Sequence, residues 1–383
     1  MSGKIHAVAA GRVFDGINVL DDAAVLIEHD RIAAVVSRRE VPSAAPLRQL
    51  PEGVWLAPGF IDIQVNGGGD VLFSDAPTAA AVRTIVAAHR KFGTTALLPT
   101  LISDSAEKTA AALATVDSLI GVEPSVVGIH LEGPFLSPQK PGVHDPRSLR
   151  RPGAGDLAAL TAPRAGVTLV TLAPEEVPTH FIAKLAAAGV HVALGHSMAT
   201  YAQTTAAMAA GLRGFTHLFN AMRPLESREG GPIAAALESA AAWYGLIMDG
   251  VHVAPAVLRL ALRGAGRPIL VTDAMPPVGG ARECFKLGGE TILAREGRCV
   301  RQRDGRLAGA HLDMASAVRN CVRLLDVPLV DALRYASTHP AQCLGLGQTL
   351  GCLAPGFRAD MVALDERTIE VLDTWVAGTP SAH

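Results

Sequence analysis

From about residue 54 the chain repeats one rhythm. A short, nearly continuous apolar run is followed by a stretch in which apolar positions recur at helical spacing. The runs are VWLAPGFIDIQV, TTALLPTLI, SVVGIHLEG, GVTLVTLAPE, GVHVALGHS, GFTHLFN, WYGLIMDG and PILVTDAM, eight in all. Helical patterns such as TAAAVRTIVAAHRKFG and HFIAKLAAAG lie between them, several ending in glycine, a common helix stop. Eight strands alternating with helices predict an α/β fold, a TIM-like (β/α)8 barrel. A Rossmann-like sheet has the same rhythm. No G-x-G-x-x-G follows an early strand, which counts against it and against dinucleotide binding.

The two ends read differently. Residues 1–53 form short apolar runs, and AVLIEHDRIAAVVS predicts a hairpin turning at His29 and Asp30. Residues 350–383 return to short strands. The expectation is a small β-sandwich domain built from both ends, beside a barrel over 54–349. Residues 280–308, GARECFKLGGETILAREGRCVRQRDGRLA, read as a β-rich insertion after the eighth strand.

Composition narrows the classes. Of 383 residues 49% are apolar, with no run long enough to span a bilayer, so a large core and no membrane span are expected. The opening segment has no long apolar stretch of the secretory kind, and a cytoplasmic location is expected. Formal charge is −2 without a basic stripe, which argues against nucleic acid as a partner. The five cysteines are odd in number and none sits in Cys-x-x-Cys, as expected of reduced thiols rather than a zinc cluster.

In a barrel of this kind the active site gathers at the C-terminal ends of the strands. The apolar runs end in Glu132, in His196, in His217 and Asn220, in Asp249 and His252, and in Asp273. Singly, each has a structural reading: a hydrogen-bonded strand-end histidine, a turn-capping Glu132, a helix-capping Asp273. Together, Glu132, His196 and His217 supply a His2Glu set with a fourth position open for water. Many metal-dependent amide hydrolases end the first strand in His-x-His; here those positions are Gln64 and Asn66, whose amides are poor ligands. One metal on the remaining set, with Gln64 and Asn66 behind it, is the expectation. His2Glu suits zinc and tolerates iron, cobalt or manganese. The loop NAMRPLESREGG offers Arg223 and Arg228 to an anion.

The segments APGFIDIQVNGGG, GIHLEGPFLSPQKPGVH, LGHS, FTHLFNAM, DGVH, VTDAM and LAPGFRADMVALD resemble the N-acetylglucosamine-6-phosphate deacetylases of the amidohydrolase superfamily. HLEGP with THLFNAM is the specific part; PGFID and PGxxAD occur across the superfamily. The resemblance implies hydrolysis of the acetamide of a phosphorylated amino sugar by a homodimer holding one divalent metal per chain. It implies Glu132, His196 and His217 as ligands and Asp273 as acid/base. His144 would polarise the substrate carbonyl. Sugar and phosphate contacts would come from Val143, His144, Asn220, Ala221, Arg228, Asp249, His252 and the segment Leu307, Ala308 and Gly309. Gln64 and Asn66 match the one-metal branch. LAGAHLDM departs from the family's small-residue segment by placing His311 near the pocket edge. The alternatives are the galactosamine isomer as substrate, a cyclic-amide hydrolase, and a non-catalytic binding protein. A cyclic-amide hydrolase usually carries His-x-His and a strand-end lysine, and neither is present; a binding protein has no need of Glu, two His and Asp together.

Overall fold

The computed structural model describes residues 5–381. Its centre is a parallel sheet of eight strands in sequential order: β1 (Phe60–Val65), β2 (Thr94–Ile102), β3 (Gly128–Glu132), β4 (Val167–Leu172), β5 (His191–Leu194), β6 (Gly214–Phe215), β7 (Trp243–Ile247) and β8 (Arg267–Val271). A helix follows each: α1 (Ala79–Arg90), α2 (Ala106–Leu119), α3 (Asp156–Thr161), α4 (Thr179–Ala187), α5 (Tyr201–Ala209), α6 (Gly231–Glu238), α7 (Pro255–Ala261) and α8 (Met314–Leu325). This is the TIM-like (β/α)8 barrel that the sequence rhythm predicts.

Polar residues begin α1, α2, α5 and α8 by satisfying free N–H groups. The side chains of Thr78, Ser105, Thr200 and Asp313 accept from Ala81, Lys108, Gln203 and Ser316. In α1 the buried Val82, Ile85, Val86 and His89 recur at helical spacing and face the sheet. β2 is buried at all nine positions, because helices cover its outer face and side chains fill its inner one. It contains Pro99, which has no N–H to donate. Pro99 sits where the β1–β2 register shifts, and the Val65 N–H there turns to the Thr100 hydroxyl at 2.9 Å.

The barrel closes between β8 and β1. Just past β8, the Thr272 hydroxyl donates to the buried carboxyl group of Asp62, and the N–H groups of Asn66 and Gly67 donate to the Ala274 carbonyl at 3.0 and 2.9 Å. β6 is only two residues long. Beyond it the chain leaves extended geometry at once, with positive φ at His217, Phe219 and Ala221.

Both ends of the described chain join one further sheet. Val54–Pro58 lies parallel to Ile5–Phe14 and antiparallel to Met361–Asp365. Val19–Glu28 and Arg31–Ser37 form the hairpin expected around His29 and Asp30. Alternate side chains serve two cores, as a strand's period of two requires. Trp55, Ala57, Val362 and Leu364 join the main barrel core, whereas Val54, Leu56, Met361 and Ala363 join a second core with Val25 and Trp375. A four-stranded antiparallel sheet runs from Cys284 to Ala310, between β8 and α8. Its last strand returns to the barrel mouth through Ala310 N–H to Asp273 carbonyl, 2.9 Å. Among the described residues no helix is long and apolar enough to cross a membrane.

Candidate active site

Glu132 is the last residue of β3, and His196 and His217 lie just past β5 and β6. All three are buried. His217 Nε2 lies 3.0 Å and His196 Nε2 3.3 Å from Glu132 Oε1, and the two nitrogens are 3.1 Å apart. The His196 ring is set by its other nitrogen: Nδ1 lies 2.8 Å from the Lys140 carbonyl, which only accepts. Nδ1 therefore carries a proton, and the ring is oriented so that Nε2 faces the centre. Two imidazole nitrogens and a carboxylate oxygen thus converge within 3.3 Å of one another, a donor set that suits a divalent cation. Burial alone would raise the Glu132 carboxyl, yet its bonds to His196 and His217 hold it well below the usual range. Burial likewise opposes a charge on His217, and the Glu132 carboxylate outweighs it and raises that group. Both shifts have one cause: the buried Glu132 carboxylate favours a positive charge beside it.

Asp273 follows β8 and faces this centre. Burial, reinforced by the Glu132 charge, pushes its carboxyl up to about 6. Its Oδ1 accepts from Asn66 Nδ2 at 2.7 Å and Gln64 Nε2 at 3.2 Å. Gln64 Nε2 also donates to Glu132 Oε1 at 3.2 Å. The two amides at the end of β1 therefore hold the two carboxylates as donors. That is a task for an amide N–H, and no second cluster of metal-ligating groups occurs among the described residues.

His144 stands across the pocket, its Nε2 3.8 Å from Glu132 Oε2. Burial, with His196 next, pushes its pKa down to about 3, so the ring is neutral at ordinary pH. Below the centre lies a polar belt that sequence reading did not single out. His130 Nδ1 is 3.2 Å from Thr100 Oγ1, His130 Nε2 is 2.8 Å from Thr171 Oγ1, and Thr171 Oγ1 is 2.6 Å from Thr216 Oγ1. The only sign of it in the sequence is a polar residue one or two places before each of Glu132 and His217.

The site opens through a cavity of about 180 Å³, lined beyond the centre by Val143, Asn220, Ala221, His252, Leu307 and Gly309. His252 Nδ1 lies 2.6 Å from Asp249 Oδ2. Burial works against the Asp249 charge, but the His252 hydrogen bond keeps its pKa low. A larger outer cavity of about 610 Å³ shares Gly142, Val143, His144 and Leu307 and is rimmed by Lys140, Arg301 and Arg303. Ala308 is buried beside this path and His311 is exposed. Arg228 is exposed on its loop outside both cavities, and Arg223 is tied by Nε to the Met198 carbonyl at 2.9 Å.

The amidohydrolase family model matches residues 55–381. An N-acetylgalactosamine-6-phosphate deacetylase of Shewanella sp. (strain ANA-3) is 43% identical over 87% of this chain and 84% of its own. An N-acetylglucosamine-6-phosphate deacetylase of Haemophilus influenzae is 33% identical over 96% of each chain. The crystal structure of N-acetylglucosamine-6-phosphate deacetylase from Pasteurella multocida superposes with a TM-score of 0.95 at 31% identity, covering 99% of this chain and all of the other.

Proposed function

The chain belongs to the amidohydrolase family, and from that premise we propose that it hydrolyses the acetamide of N-acetylglucosamine 6-phosphate to acetate and glucosamine 6-phosphate in amino-sugar breakdown. The observation that carries the chemistry is a metal-ligand set, a carboxylate and a neutral imidazole converging on one buried centre. Glu132, His196 and His217 would hold one divalent ion, zinc in our reading, with iron, cobalt or manganese also suited to the donors. When bound, such an ion would supply Lewis acidity and lower the pKa of a water to about 7.

The remaining work falls to the chain's own groups. Asp273 accepts a proton from the attacking water through Oδ2, while Oδ1 stays anchored by Asn66 and Gln64. The water oxygen bonds to the carbonyl carbon and the carbonyl oxygen becomes an oxyanion. His144 Nε2 donates a hydrogen bond to that oxygen. Asp273 then passes its proton to the nitrogen, the C–N bond breaks and the amine leaves. His252 and Arg228 meet the phosphate. Arg228 does so by loop closure or across a homodimer interface, because it stands outside its own cavity. The five free cysteines fit a reducing cytoplasm.

A second reading, the galacto isomer as substrate, is favoured by the 43% identity to an enzyme named for that sugar. Acetate release from both N-acetylhexosamine 6-phosphates, with metal analysis of the same sample, separates the readings. Higher kcat/KM on the gluco sugar with one metal per chain is expected. A galacto preference replaces the substrate, and no release from either sugar removes the activity. Arg228→Ala should lower kcat/KM on the phosphosugar by roughly 10-fold or more, the loss of a charge-assisted contact, with little effect on unphosphorylated N-acetylglucosamine.

A further inference from the structure

The carbonyl-polarising role of His144 depends on which ring nitrogen bears the proton. Ser103, one residue past β2, decides this. Its backbone N–H points at His144 Nδ1 from 3.2 Å, and its Oγ lies 2.8 Å from the same nitrogen. A backbone N–H can only donate, so Nδ1 must be the lone pair and Nε2 must carry the hydrogen. Nε2 is the buried atom that faces the pocket, and it has no hydrogen-bond partner within the protein. A buried N–H left unpaired is costly, and it is retained where an incoming group completes it. We propose that Ser103 is a positioning residue: its N–H and hydroxyl fix His144 in the Nε2–H form and aim that N–H at the substrate's acetyl oxygen.

Crowding keeps Ser103 in place. Its Oγ also lies 3.4 Å from the Glu132 carbonyl, but the 2.8 Å approach to the ring is much the shorter, so the single hydroxyl hydrogen goes to Nδ1. A side chain on Gly133, where φ is +91°, would come within 2.2 Å of the Ser103 oxygen. Only a glycine there lets the serine approach the imidazole. The opposite tautomer would set an Nδ1–H against the Ser103 N–H and a bare lone pair against the substrate oxygen.

The inference rests on the proposed role of His144, and the spectroscopic arm of its test does not depend on that role. In zinc-loaded protein labelled with ¹⁵N-histidine, the His144 signals are those that vanish in His144→Gln. They should show a protonated Nε2 and an unprotonated, hydrogen-bonded Nδ1. In Ser103→Ala the backbone donor remains and the hydroxyl is gone. Its Nδ1 signal should shift towards that of a free lone pair, while kcat falls about threefold to tenfold at unchanged KM and metal content. Placing Ser103→Ala on His144→Gln should then cost nothing further, because the serine acts only through the ring. A protonated Nδ1 in the wild type overturns the proposal, as does an equal loss in both backgrounds. Absence of deacetylation in the wild type would instead remove the proposed function and leave the tautomer result standing.

Discussion

His196, His217 and Asp273 share a backbone peculiarity: all three lie in the left-handed region, at φ 48°, 31° and 50°. Non-glycine residues reach that region rarely, Asp and His more readily than most, at a cost of about 1–3 kcal/mol each. The geometry turns each chain out of its strand within one residue, so that the side chain points across the barrel mouth. Asp273 is held further by Asn66 and Gln64, which stay in place when its second oxygen changes. Asp273→Asn therefore keeps the shape and the ligand set and removes the base. We expect kcat to drop by roughly 10²–10⁴, with metal content and KM near wild type. Single-turnover acetate release checks this, and a rate within a few fold of wild type would show that another group moves the proton. At this scale much was legible in the sequence. Glu132, His196, His217 and Asp273 are polar endings on apolar runs, and the structure brings them to one centre. Ser103 and His130 were not legible. A serine after TTALLPTLI reads as a turn residue, and His130 inside a strand reads as core; only the fold shows which imidazole or hydroxyl each one meets.

Between elements, the seam joining β8 to β1 carries an acid that the pattern FIDIQV does not distinguish from ordinary alternation. Asp62 is fully buried, and burial outweighs its bonds from Thr272 and Gln64 to raise its pKa to about 7, against 3.8 when exposed. From about pH 4 to about pH 7 the folded chain keeps this proton and the unfolded chain has lost it. Unfolding free energy from this group thus falls as pH rises through that window, by at most about 1.4 kcal/mol per pH unit, and is level above it. Asp62→Asn should abolish that slope, matching wild type near pH 4 and exceeding it at pH 8. Urea unfolding at both pH values reads this out, and identical slopes in the two proteins would show that Asp62 is ionised throughout. The loop after β3 gives a second case. Gly142 has φ +57°, and a Cβ there would come within 2.8 Å of His196 Cε1. In Gly142→Ala the ring must tilt away from the Lys140 carbonyl, and metal affinity should fall about 10- to 100-fold, as for other losses of support behind a ligand. Competition with a chromophoric chelator measures it.

For the whole molecule, the centre binds together elements far apart in sequence, since β3, β5 and β6 each contribute one group to it. Stripping the metal should lower Tm by several degrees, because an ion held by the folded state alone stabilises it by about 2.7 kcal/mol at 100 times its Kd. Calorimetry before and after chelation checks this; an unchanged Tm at full metal loss would mean the barrel mouth is rigid without it. The barrel was readable from its eightfold rhythm because each strand needs a covering helix. The partners of the end strands were not, since pairing between residues 54–58 and 361–365 leaves no periodic trace. That pairing has a consequence for synthesis on the ribosome. Val54–Pro58 emerges early, with Ile5–Phe14 ready on one side, but its other edge belongs to Met361–Asp365. Some three hundred residues, the entire barrel, are translated while that apolar edge stays open, at about 5–20 residues per second. For that interval of tens of seconds the nascent chain exposes a strand edge able to pair with its neighbours on a polysome, so the newborn protein, rather than the finished one, is where chaperone dependence should be sought.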